Sequence, residues 1–180
     1  MNAIDVKENI LKLFSEASQD LLRGMNCEVS VLEDLLDDEL DAPLAFIDAG
    51  SSDLEIQVGL ELPITVLALT YPVPSMADVD DESLEDWISE LSNQLMGRLK
   101  SKLMKHGQEI TLGLPSTYFG VNLESLLSAS QTHYTINLNV DGEACTFHLG
   151  IETIGSDITY NAEETEGDVL MESELELFQT

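Results

Sequence analysis

Glu90, Asn93 and Gly97 stand at steps of three and four residues, the spacing that stacks side chains along one side of a helix. A carboxylate and a primary amide are weak nucleophiles, so chemistry built on them would position another molecule's reactants rather than attack them. A Glu and an Asn on a helix side also describe an ordinary solvated face. Gly97 departs from that description. A mid-helix glycine costs about 1 kcal/mol relative to alanine, and its usual reason is the close approach of another backbone or a bulky group. The familiar catalytic sets are missing: there is no Gly-rich phosphate loop, no GxSxG and no HExxH. The histidines are scattered. His106 falls at a helix end, where a cation suits the dipole, and His133 and His148 fall in strands, where a sheet surface is expected.

The helix carrying the three residues is well specified. Leu84, Trp87, Ile88, Leu91, Leu95, Leu99 and Leu103 recur at helical spacing, opposite Glu90, Asn93 and Gly97. Its start is marked by acids and Ser83, and its end by Arg98, Lys100, Lys102, Lys105 and Gly107. The apolar stripe drifts after Gly97, which predicts a bend or a crossing element there. A second amphipathic helix is expected over about 5–23, from Ile4, Val6, Ile10, Leu13, Phe14, Ala17 and Leu21, with Gly24 to end it.

Between the helices, Glu28 to Leu32 reads as a short strand, and the acidic run EDLLDDELD as a solvated loop or surface helix. Leu44 to Tyr71 reads as two or three antiparallel strands, with turns near Gly50–Asp53 and Glu61–Pro63. Ser75 to Asp86 is a polar connector whose DVDDE lacks the glycine and glutamate spacing of a calcium loop. Beyond the long helix, Gln108 to Leu114 alternates as a strand, and PSTYFG reads as a turn with extended flanks. Tyr134 to Val140 and Cys145 to Ile151 alternate on either side of Asp141-Gly142, a strong hairpin signal. Ile158 and Tyr160 suggest a last strand, and Val169 to Phe178 a short helix within an acidic tail. The fold class is α+β: an antiparallel sheet packed with two principal amphipathic helices, in one domain over 1–160 with a tail at 161–180.

Composition narrows the partners. Seven Lys and Arg against 35 Asp and Glu give a formal charge of −28 over 180 residues, which excludes phosphate-backbone binding driven by protein cations, and so nucleic acid. Cys27 and Cys145 lie outside any CxxC spacing and read as small core residues in a reducing compartment. No stretch approaches the length of a membrane helix and no signal region opens the chain, so no membrane contact and a cytoplasmic location are expected. No resident metal is expected.

The run LEDWISELSNQLMGRLKSKLMKHGQEITLGLPSTYFG resembles the signature of the CheX branch of the CheC/CheX/FliY chemotaxis phosphatases. That signature is an ELxNxxxG helix followed by a glycine, a strand and a proline-containing turn that ends in glycine. Glu90, Asn93, Gly97, Gly107, Pro115 and Gly120 stand at the matching positions, and the order of elements is similar over roughly residues 4–152. A further helix usual before the signature helix is not apparent, and residues 71–81 read instead as a connector. The resemblance implies a CheC-like fold and a phosphatase acting on a phosphorylated receiver domain of the CheY type. Glu90 would pair with the receiver's active-site lysine and Asn93 would orient the attacking water, with Gly97 the partner-docking position. Mg²⁺ would come from the receiver, so no cofactor of its own is implied, and a homodimer formed through the sheet is one assembly of this type. Two alternatives stand beside this reading: a non-enzymatic signalling interaction domain on the same scaffold, and an acidic mimic of nucleic acid.

Overall fold

The computed structural model describes residues 3–32, 42–72, 80–118, 130–155, 158, 160 and 161. Helix α1 (Ala3–Arg23) is followed by strands β1 (Val29–Leu32), β2 (Leu44–Gly50) and β3 (Leu54–Glu61), helix α2 (Ile64–Thr70) and helix α3 (Asp81–Met104). Strands β4 (Thr111–Leu112), β5 (Ser116–Tyr118), β6 (Thr132–Val140) and β7 (Glu143–Thr153) complete the order. The strands form one antiparallel sheet in the order β1-β6-β7-β3-β2-β4, with β5 also on β2. The acidic run 33–41, residues 75–79 of the 75–86 connector and the tail beyond Asn161, with its Val169 to Phe178 segment, lie outside the described residues; Asp81 to Asp86 are not connector but the first turns of α3, behind the Asp80 cap.

Periodicity decides which faces meet. Val6, Ile10, Phe14, Ala17 and Leu21 of α1 are fully buried, as are Ile88, Leu91, Leu95, Leu99 and Leu103 of α3. Both stripes pack on one face of the sheet, against Ile47, Ile56, Val58, Leu60, Phe147, Leu149 and Ile151. A buried leucine-sized side chain contributes about 1.5–3 kcal/mol, so this layer of helices on sheet dominates stability. On the solvent side, Lys102 joins the two helices by ion pairs to Glu16 at 3.2 Å and Asp20 at 3.1 Å. Exposed pairs of this kind contribute little.

The turns follow their residue types. Asp141 and Gly142 both take positive φ, 52° and 97°, which is the two-residue turn that suits the twist of β6 and β7. Gly107, at φ 78°, closes α3: the Gln108 N–H reaches the Leu103 carbonyl at 3.0 Å and the Gly107 N–H the Met104 carbonyl at 3.0 Å, the double closure of a Schellman end. At the start of α3, Asp80 accepts from the Ser83 N–H at 2.9 Å, which satisfies one of the helix's orphan donors. Both cysteines are buried. Burial, with Glu143 and Cys27 nearby, pushes the Cys145 thiol up to about 12. Burial and Asp141 raise that of Cys27, so both are protonated and inert at neutral pH.

Several expectations are corrected. ITVLALT is helix α2 and not a third strand of its block. Both neighbours of β3 are already taken, by β2 and β7, so no slot remains beside it. The buried set Val66, Leu67 and Thr70 follows a helical period instead, and the Pro63 carbonyl accepts from the Val66 and Leu67 N–H groups. This also supplies a helix ahead of the signature helix, where only a connector was expected. The strand foreseen over 108–114 is only Thr111–Leu112, because β5 occupies β2 at Leu44–Phe46 and leaves β4 only Ala49 and Gly50. Ile158 and Tyr160 are not in a strand. The segment instead docks by a bond from the Asn161 N–H to the His106 carbonyl at 2.9 Å and by Tyr160 stacking on His106 with ring centroids 4.9 Å apart.

The histidines divide. His133 is exposed, but His148 is buried rather than at a sheet surface, with Nε2 3.4 Å from Oε2 of Glu61. His106 is also buried, its Nδ1 2.7 Å from the Asn161 carbonyl.

Candidate docking and catalytic face on α3

With its leucines turned to the sheet, α3 presents its other side outward. Glu90 is exposed, and Asn93 and Gly97 are half-buried beside it. The structure thus brings all three sequence-derived residues onto one accessible face. Gln94, one turn beyond Glu90, donates from Nε2 to Oε1 of Glu90 at 3.1 Å, which restrains the carboxylate without removing it from solvent. The Asn93 side chain makes no hydrogen bond to a described residue, so its carbonyl oxygen and both amide hydrogens are available to a visitor. Gln94 was not singled out from sequence, although Glu and Gln at i and i+4 is a spacing that pairs on helices.

Gly97 has no packing role among the described residues. A Cβ built there meets nothing within 4 Å, so the crossing element expected near this point is absent among the described residues. The Gly97 carbonyl accepts from Ser101 Oγ at 3.0 Å, and α3 continues unbroken to Met104. A residue that costs helix stability therefore leaves open space on the outer surface, beside an unengaged amide and an exposed acid.

Among the described residues, the Ser101 hydroxyl near this face is engaged within the helix, donating to the Gly97 carbonyl. Ser92 is buried, and its hydroxyl donates to the Ser89 carbonyl at 2.7 Å. His106 faces the core at the far end of α3. Among the described residues no group of three or more His, Cys, Asp or Glu could hold a metal ion, and no helix is long and apolar enough to cross a membrane. A cavity of about 410 Å³ lies at the β2–β3–β4 end of the sheet, lined in part by Asp48, Glu55, Gly113 and Gln131, and contains no residue of α3. What the face offers is a fixed acid and an amide on a surface that another protein can approach closely.

Residues 51–139 match the family model described as chemotaxis phosphatase CheX. The matched span includes α3 and all three site residues. Over that span the chain is CheX-like. No curated protein sequence matches it. Among solved structures, the chemotaxis protein CheX from Vibrio vulnificus is similar at a TM-score of 0.66 and 11% identity, over 79% of this chain and 96% of that one. A CheC-like superfamily protein from Shewanella sp. PV-4 reaches a TM-score of 0.64 at 17% identity, over 84% and 99%. CheX in the CheX–CheY–BeF3–Mg²⁺ complex from Borrelia burgdorferi reaches 0.58 at 17%, over 79% and 97%. At these identities the likeness is one of fold: the CheX-like architecture, with an antiparallel sheet and helices, is shared nearly end to end with each relative.

Proposed function

We propose that this CheX-like chain removes the phosphoryl group from a phosphorylated response-regulator receiver domain, using the exposed face of α3. The observation that carries the reading is Gly97, a helix-weakening residue with no packing role among the described residues, set beside an exposed acid and an unengaged amide. Support also comes from the family match, described as a chemotaxis phosphatase, and from the solved complex of a relative with CheY, BeF3 and Mg²⁺.

In this reading the receiver's backbone approaches α3 at Gly97. Glu90 pairs with a lysine of the receiver and sets the helix over the aspartyl phosphate. The Asn93 amide binds a water in line with the scissile bond. The water oxygen bonds to phosphorus as the P–O bond to the aspartyl carboxylate breaks, giving inorganic phosphate, a free carboxylate and a proton released to solvent. Phosphoryl transfer asks for alignment and charge neutralisation more than covalent help. The receiver's Mg²⁺ supplies the neutralisation, so the reaction needs no cofactor resident in this chain.

The test is the rate of phosphate loss from phosphorylated cognate receivers with Mg²⁺, with and without this protein. Acceleration that depends on Asn93 supports the reading. Binding without acceleration would favour a non-enzymatic signalling domain on the same scaffold.

A further inference from the structure

The cations of this acidic chain are not scattered. Lys7, Lys12 and Arg23 lie on α1, while Arg98, Lys100 and Lys102 lie in α3 with Lys105 as its C-cap. No strand carries a lysine or arginine. Within α3 the sign of charge changes along the helix: Asp81, Glu82, Glu85, Asp86 and Glu90 precede an uncharged stretch from Leu91 to Gly97, and only bases follow. Helix-end electrostatics explain the outermost of these, since the dipole acts within the first and last turn. Glu90 and Lys100 lie further in.

Of the bases, Lys102 is held by Glu16 and Asp20, and Arg98 points toward the end of α1, with a guanidinium nitrogen 3.4 Å from a Cβ built at Gly24. Lys100 differs from both. It stands two turns beyond Asn93, about 10 Å along the same side of the helix. It is half-buried and has no ion pair or hydrogen bond with a described residue. One turn further, Met104 is 44% exposed on that same side. The outward face therefore runs from acid through Asn93 and Gly97 to a lysine and an exposed methionine.

We infer that Lys100 contacts negative charge around the phosphoryl site of the docked receiver and, with Glu90, fixes the direction in which α3 lies on it. This rests on the receiver reading above. A phosphoryl group adds roughly −1.5 to −2 charge, and a chain of formal charge −28 would repel such a partner from most directions. Lys100 supplies the opposite sign on the face that must approach. Turning the helix end for end would set Glu90 against the phosphoryl group and Lys100 against the receiver's lysine, and like charges across an interface select against that orientation.

The experiment measures affinity and association rate for cognate CheY-type receivers held as the beryllofluoride–Mg²⁺ adduct, at low and high salt, for wild type, Lys100→Glu, Lys100→Ala, Lys100→Arg and Lys12→Glu. Lys12→Glu makes the same change in net charge on α1. Lys100→Glu should weaken binding about tenfold at low salt, chiefly through association, with the loss shrinking at high salt. Lys100→Arg should stay near wild type and Lys12→Glu within about twofold. In hydrolysis, Lys100→Ala should raise KM and leave kcat unchanged. Lys100→Glu binding no worse than Lys12→Glu, with thermal midpoints intact, overturns this inference and leaves the phosphatase reading standing. Wild-type binding without hydrolysis overturns the phosphatase reading and leaves Lys100 to be judged on the binding series. No wild-type binding to any cognate receiver overturns both.

Discussion

Gln94 donates from its side-chain amide to the Glu90 carboxylate at 3.1 Å, one turn along the exposed side of α3. The bond costs Glu90 little solvation, since the carboxylate is exposed, and narrows the positions it samples before a partner arrives. Holding a group near its bound position lowers the ordering cost of association.

Glu90→Ala should therefore weaken receiver binding by about tenfold or more, because it removes one partner of a partly desolvated ion pair. Gln94→Ala should weaken it by a smaller factor, since the acid remains and only its restraint is lost. Titration calorimetry against a beryllofluoride-loaded receiver measures both; equal losses would show that Gln94 contacts the partner directly.

Asn93→Ala should act on a different quantity. The substitution leaves binding and the thermal midpoint near wild type, since alanine has the better helix propensity and no intrachain hydrogen bond is lost. Hydrolysis should fall by about a hundredfold or more, because an interaction made in the transition state has been removed. A parallel loss of binding would make Asn93 a docking residue.

Gly97→Ala should stabilise the domain by up to about 1 kcal/mol, as the new methyl meets nothing within 4 Å. Gly97→Leu should also fold and should lose more receiver affinity than alanine by filling the approach. Thermal melts and binding of the two variants check this; unchanged binding for leucine would exclude close approach at Gly97.

Tyr160→Ala should cost about 3 kcal/mol, a typical figure for truncating a buried aromatic ring, since Tyr160 is 8% exposed and stacked on His106. Chemical denaturation measures it. A loss below about 1 kcal/mol would mean that the Asn161 hydrogen bonds hold this segment without the ring.

Asp80 should confer a small acid-dependent stability. The Ser83 hydroxyl and N–H hold its carboxyl below the ordinary value of 3.8, so the folded state favours the ionised form. That contribution is present above the ordinary value and is lost as pH falls through the lowered one. Asp80→Asn keeps a capping oxygen without the charge. The wild-type advantage in thermal midpoint over this variant should be steady from about pH 7 to 5 and shrink below about pH 4; a difference that does not change with pH would remove the charge from the cap's role.

Sequence alone determined the elements whose signals are local. The α1 and α3 stripes and the Asp141-Gly142 hairpin were legible because period and turn chemistry are fixed by neighbouring residues. The spacing of Glu90, Asn93 and Gly97 opposite the Leu84–Leu91–Leu95 stripe also foretold one shared face. Tertiary structure decided what depends on competition for space. ITVLALT carries a strand-like composition, but β3 already has both neighbours, so the segment coils into α2 and anchors on α3 through the bond from Trp87 Nε1 to Thr70 Oγ1 at 3.0 Å. His148 alternates like a surface residue and is nonetheless buried beside Glu61. Gly97 is the clearest case. Its spacing pointed to a close approach, and only the packed structure reveals that no described residue makes one, because an empty space is a property of everything that folds elsewhere.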